Sequence, residues 1–174
     1  MTTVLAIQYA DGVMMSGDTL STDSSSRPWY SQKIRDLGHY LVGGAGDSRP
    51  CDIILHTWKP PTPTAKDHED LLRFMVVKAI PSLQKTIEAS HYSKSDGGDG
   101  WAFLIAVGGK VFIVEDDYSV AEPLHDVAAI GSGSWYAIGA ARGGASIEKA
   151  MEIATENDYA TGSPFTYLEQ KKRR

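Results

Sequence analysis

Thr2-Thr3-Val4-Leu5-Ala6-Ile7-Gln8-Tyr9-Ala10-Asp11-Gly12-Val13-Met14-Met15-Ser16-Gly17-Asp18 is the stretch on which the reading of this chain turns. Residues 3–9 are rich in β-formers and end at Ala10-Asp11-Gly12, where Asp-Gly is a strong turn signal. A second apolar run, Val13-Met14-Met15, follows and stops at Ser16-Gly17-Asp18. The pattern predicts a hairpin that begins with the first residues of the protein. A threonine one residue from the start usually means nothing. Here it opens a strand that a sheet would hold, and a small side chain after Met1 suits removal of that methionine. Removal would leave an α-amine, with a pKa of about 7.7–8, on the residue that carries the hydroxyl. Base and nucleophile would then share one residue.

Beyond the hairpin, residues 19–32 are polar, rich in Ser and Thr, and contain Arg27-Pro28, so they read as a loop. Lys33-Ile34-Arg35-Asp36-Leu37 and Tyr40-Leu41-Val42-Gly43-Gly44 read as paired strands joined at Gly38-His39. Asp47 or Ser48 can cap a helix with Pro50 in its first turn, which Lys59-Pro60-Pro61-Thr62-Pro63 stops. The spacing of Leu71, Leu72, Met75, Ala79, Leu83 and Ile87 predicts a helix over about 66–90, kinked or divided at Pro81. A loop at 95–100 precedes two strands, 101–107 and 110–114, around Gly108-Gly109. A strand at 127–130, helices at about 135–141 and 146–157, and a last extended stretch complete the chain. Strands and helices segregated in this way predict an α+β fold in one domain, residues 1–174, without repeats. A four-layer αββα sandwich, two antiparallel sheets flanked by helices, would bury both apolar helix stripes.

Composition narrows the function. The net charge of -5 gives no reason to expect nucleic acid as a partner. No run of 18 apolar residues exists, and the N-terminus lacks the basic region and cleavage site of a signal peptide, so neither a membrane nor export is expected. A single cysteine, Cys51, excludes an intrachain disulfide and makes a reducing, cytoplasmic setting the expectation. Cys51 lies in an apolar stretch and reads as a buried small side chain rather than a reactive thiol. The five histidines show no metal-ligand spacing, so neither a metal nor a cofactor is expected. Lys171-Lys172-Arg173-Arg174 reads as a solvated tail.

The opening stretch resembles the mature start of proteasome β-subunits and of the bacterial peptidase HslV. Lys33-Ile34, Gly43-Gly44-Ala45-Gly46-Asp47, Gly131-Ser132-Gly133-Ser134-Trp135-Tyr136-Ala137 and Asp158-Tyr159-Ala160-Thr161-Gly162 follow in the order of that family, across nearly the whole chain. Each piece is weak alone; their order and spacing from a threonine carry the resemblance. It implies an N-terminal nucleophile hydrolase in which Thr2 attacks a peptide carbonyl, with Asp18 and Lys33 as the buried acid and base pair beside it. It also implies an oxyanion donor at the Gly43 N–H, and a polar network of Ser132, Asp158 and Thr161 around the terminal amine. Ser21, Ser31, Leu41 and Ala45 fall at substrate-pocket positions.

Stacked homo-oligomeric rings, polypeptide substrates and an ATP-dependent unfoldase are further implications of the resemblance. Without it, Asp18 reads as a turn residue, Lys33 as a solvated strand residue, Ser132 as a helix cap and Asp158 as a helix end. The chain departs from the family pattern by one residue fewer between Asp18 and Lys33, and by a tighter step from Lys33 to the glycines. Its length is close to HslV while Asp158–Gly162 looks proteasomal, which suggests a divergent bacterial or phage branch. A silent ring-forming subunit that keeps Met1, and an amidase acting on a small molecule, are the alternatives.

Overall fold

The computed structural model describes residues 2–22, 28–93 and 100–172; Met1, part of the polar stretch, the expected loop at 95–99 and the end of the basic tail lie outside them. The first hairpin forms as β1 (Val4–Tyr9) and β2 (Gly12–Asp18), with Tyr9 opposite Gly12. Gly12 belongs to the strand, and close approach explains it: a Cβ there would run into the Gln170 carbonyl. β2 does not stop at Ser16. The C-terminal segment Phe165–Lys171 pairs along its whole length, from Asp18 to Gly12, and so extends it.

The polar stretch contains a short hairpin where a loop was expected, β3 (Leu20–Thr22) with β4 (Pro28–Tyr30). β5 (Ile34–Asp36), β6 (Tyr40–Gly46), β7 (Trp101–Val107), β8 (Lys110–Glu115) and the short β9 (Val120–Ala121) form a five-stranded antiparallel sheet in sequence order. β10 (Val127–Ile130) and β11 (Phe165–Lys171) flank the first hairpin, giving a four-stranded sheet ordered β10-β1-β2-β11.

Three apolar layers hold the sandwich together. Val4, Ala6, Val13, Met15, Leu104 and Ala106 fill the space between the sheets. Ile54, Phe74, Leu83, Phe103 and Phe112 pack the five-stranded sheet against α1 (Ser48–Thr57) and the helices that follow it. Leu5, Ile7, Ala137, Ala150 and Met151 pack the other sheet against α4 (Ser134–Arg142) and α5 (Ile147–Asn157). Alternation along β1 therefore sends Val4 and Ala6 inward and Leu5 and Ile7 to the helices, each burial contributing about 1.5–3 kcal/mol for a Val or Leu side chain. The result is the αββα order expected, an α+β fold of antiparallel sheets.

The long helix starts later than its periodicity suggested. Asp70 caps it, accepting from the Arg73 N–H at 2.9 Å, and α2 (Leu71–Phe74) runs through a π turn (Met75–Ala79) into α3 (Ile80–Ala89). The π turn is how the chain divides at Pro81: proline has no N–H and its ring crowds the preceding turn, and the Ile80 N–H reaches back to Met75. Ser146 caps α5 as expected, accepting from the Lys149 N–H at 3.2 Å. Asp47 stands at the start of α1, but its carboxylate accepts from the Tyr92 hydroxyl at 2.7 Å and makes no cap bond.

Candidate functional site

Three strand registers converge on Thr2. Val4 faces Gly17 across the hairpin, which brings Thr3 to Asp18. The Asp18 N–H donates to the Thr3 carbonyl at 3.1 Å, and the Thr3 N–H donates to Asp18 Oδ1 at 2.8 Å. Val4 also faces Ile130 of β10, which brings Thr2 to Ser132. In the second sheet the Gly44 N–H donates to the Lys33 carbonyl at 2.9 Å, which fixes Lys33 at the start of β5 beside the end of β6. Residues far apart in sequence thus meet at one end of the sandwich because the strands are in register.

Asp18 and Lys33 form a buried ion pair, with Lys33 Nζ 3.0 and 3.1 Å from the two carboxylate oxygens. Lys33 also donates to the Leu20 carbonyl, and the Gly162 N–H donates to Asp18 Oδ2 at 3.2 Å. Asp18 is fully buried and Lys33 is 5 % exposed, so neither is a turn or surface residue. Burial raises the Asp18 carboxyl and lowers the Lys33 ammonium, each opposed by the charge of its partner. A lysine lowered in this way is closer to exchanging a proton near neutrality than a solvated one.

On the other side of Thr2 lies a chain of hydroxyls. The Thr2 N–H is 3.4 Å from Ser132 Oγ, which donates to Asp158 Oδ2 at 2.7 Å. Thr161 Oγ1 donates to the same oxygen at 2.6 Å and lies 2.5 Å from Thr3 Oγ1, and the Ala160 N–H donates to Asp158 Oδ1 at 3.2 Å. Burial pushes the Asp158 carboxyl up, but the hydrogen bonds from Thr161, Ser132 and Ala160 outweigh it and hold the group below the usual carboxylate range. Gly131, at φ 92°, lets the backbone close on Thr2: a Cβ there would run into the Thr2 carbonyl.

A recess beside this constellation is lined by Thr2, Ser21, Ser31, Lys33 and Ala45, with Cys51 at its wall. Burial pushes the Cys51 thiol up to about 12, so it is a poor nucleophile. Two expected residues do not join the site. Leu41 is 1 % exposed in the core between the sheets. It lies three residues before Gly44, about 10 Å along β6 at the usual strand rise. Gly43 is the second. Successive N–H groups of a strand point to opposite sides, so with Gly44 facing Lys33 the Gly43 N–H faces β7. Its lack of a side chain serves packing instead, since a Cβ would lie 2.6 Å from Val4 Cγ1. The next N–H on the open side is that of Gly46, at φ 95°, which lines the recess with Thr2. Thr3 and Gly46 escaped the sequence reading because their parts depend on register, which no local pattern displays.

No protein-family model matches the sequence. Solved structures do match in fold. BPH from Thiobacillus denitrificans shares 21 % identity over 99 % of both chains, with a TM-score of 0.76. The same protein in complex with epoxomicin matches at 19 % identity over 99 % of this chain and 100 % of that one, with a TM-score of 0.75. A eukaryotic HslV from Trypanosoma brucei matches at 21 % identity over 98 % of this chain and 99 % of that one, with a TM-score of 0.66. Anbu, an ancestral beta-subunit from Yersinia bercovieri, matches at 14 % identity over 98 % of this chain and 81 % of its own, with a TM-score of 0.72. The chain shares the fold of these structures, the proteasome β and HslV type.

Proposed function

We propose that this protein is an N-terminal threonine peptidase whose nucleophile is Thr2 after removal of Met1. The observation that carries the reading is the placement of Thr2 between a buried Asp18–Lys33 pair and Ser132, which accepts from the Thr2 nitrogen and donates to Asp158. In this reading the Thr2 hydroxyl adds to a peptide carbonyl and its proton passes to the terminal amine. The Lys33 ammonium stabilises the negative oxygen that develops on Thr2. The Gly46 N–H donates to the carbonyl oxygen as it becomes an oxyanion. The amine then returns the proton to the leaving nitrogen, the C–N bond breaks, and water hydrolyses the resulting ester.

Polypeptides are the proposed substrates, and the proposed setting is a homo-oligomeric ring fed by an ATP-dependent unfoldase in the cytoplasm. Trp135 and Tyr159, both more than four-fifths exposed beside the Ser132–Asp158 chain, suit a surface covered by further copies. Among the described residues, no helix is long and apolar enough to cross a membrane.

Turnover of small fluorogenic peptides tests the reading. Thr2→Ala is expected to lose roughly 10⁴-fold or more in kcat, as removal of a covalent nucleophile does. Epoxomicin, which the Thiobacillus protein is seen to bind, is the probe of choice. Full activity in Thr2→Ala would sink the mechanism. Met1 retained in the cell-made protein, seen by intact mass, would favour a silent subunit, and turnover of small amides but not peptides would favour an amidase.

A further inference from the structure

We propose that Thr3 is a positioning residue for the Thr2 amine, acting through Asp158, on which two arms of hydrogen bonds converge: Thr3 and Thr161 on one side, the Thr2 nitrogen and Ser132 on the other. The inference rests on the reading of Thr2 as nucleophile. Its basis is proton counting. Asp158 Oδ2 lies 2.6 Å from Thr161 Oγ1 and 2.7 Å from Ser132 Oγ, and an ionised carboxylate only accepts. Each hydroxyl has one proton to give. Thr161 has given its proton to Asp158, so at the 2.5 Å contact it is Thr3 that donates to Thr161. Ser132 has likewise given its proton to Asp158, so toward the Thr2 nitrogen, 3.4 Å away, it can only accept.

This direction matters for the chemistry. An amine that donates an N–H to Ser132 keeps its lone pair turned away from Ser132 and available to the Thr2 hydroxyl. Each arm is polarised toward Asp158, by roughly 10–30 % per bond, and the Thr3 arm acts on the other by fixing the Asp158 oxygen to which Ser132 donates. Thr3 is the outermost donor of its arm and is fully buried. Its N–H is held by Asp18 at 2.8 Å, so one residue ties the ion pair to the hydroxyl chain. Gly133 makes the room: a Cβ there would run into Thr3 Oγ1 and lie 2.8 Å from Thr161 Oγ1 and 3.1 Å from Asp158 Oδ2.

The experiment uses protein released from a ubiquitin fusion with Thr2 as its first residue, and compares Thr3→Val and Thr3→Ser with the parent. Thr3→Val keeps the shape and removes the donor. Its kcat on a fluorogenic peptide is expected to fall about tenfold, with KM within about twofold, a fraction of what a general base supplies. Thr3→Ser is expected to restore most of the loss. Parental kcat in Thr3→Val, or Thr3→Ser as slow as Thr3→Val, overturns the proposal. A second readout needs no substrate: the urea midpoints of Thr3→Val, Ser132→Ala and the double variant are expected to be non-additive, because the two residues share one network. Additive midpoints overturn it too. Turnover that survives Thr2→Ala defeats the nucleophile reading instead and leaves the chain to the urea cycle.

Discussion

The two polar clusters that flank Thr2 are built on opposite terms. The Asp18–Lys33 side buries two charges, and burial drives each toward its neutral form. The Asp158 side holds one carboxylate among neutral donors, and those donors keep it ionised. The first arrangement is costly to hold, because a buried pair recovers its desolvation only through good geometry and further hydrogen bonds. The Thr3 and Gly162 N–H groups and the Leu20 carbonyl supply those bonds here. The second is stabilising, since each donor was available anyway from the turn before α4 or the turn after α5. In the proposed reaction the ion-pair side would lend or exchange charge, and the Asp158 side would fix direction.

The sharpest way to break the comparison is Lys33→Met. It leaves Asp18 charged, buried and unpaired, which costs about 3–5 kcal/mol, read as a lower urea midpoint. Adding Asp18→Asn should recover nearly all of that loss while peptide turnover stays absent. A double variant no more stable than Lys33→Met would mean that the pair supports the fold rather than the chemistry. Asp158→Asn is the milder cut on the other side. Its amide can donate to Ser132 and reverse the chain, so kcat should fall about 10²-fold, at the lower end of what general-base catalysis supplies. A loss confined to KM would place Asp158 in substrate binding.

The fold was legible because periodicity and turn chemistry are local. Gly108-Gly109 ends one hairpin, Ser146 caps a helix, and the stripe from Leu71 to Ile87 faces one core except for the exposed Leu72, each within a few residues of its cause. The β3–β4 hairpin was not legible, since it lies in a stretch rich in Ser and Thr and Pro28 argues against a strand. At the site, the resemblance pointed to Thr2, Asp18, Lys33 and Ser132, and strand register brings them together. Gly43 and Leu41 show where residue type runs out. Two adjacent glycines look alike in sequence, but the alternation of a strand sends their N–H groups to opposite neighbours. A leucine near the glycines is equally a pocket wall or a core residue until the length of β6 places it.

The smallest effect separates the two sides by pH. The Asp158 carboxyl lies below its ordinary value of 3.8 in the folded chain. Below that value the unfolded chain therefore binds a proton that the folded chain resists, and unfolding gains. The contribution of Asp158 is fully present above its unfolded value and disappears as pH falls through the folded one. Asp18 has the opposite sign: with its carboxyl raised by burial, protonation relieves the folded state, and its contribution is lost as pH rises. Asp158→Asn should thus flatten the fall in stability below about pH 4, whereas Asp18→Asn should not. Urea midpoints measured from pH 3 to pH 7 separate the two, and an acid fall unchanged in Asp158→Asn would mean that its donors do no more than water does.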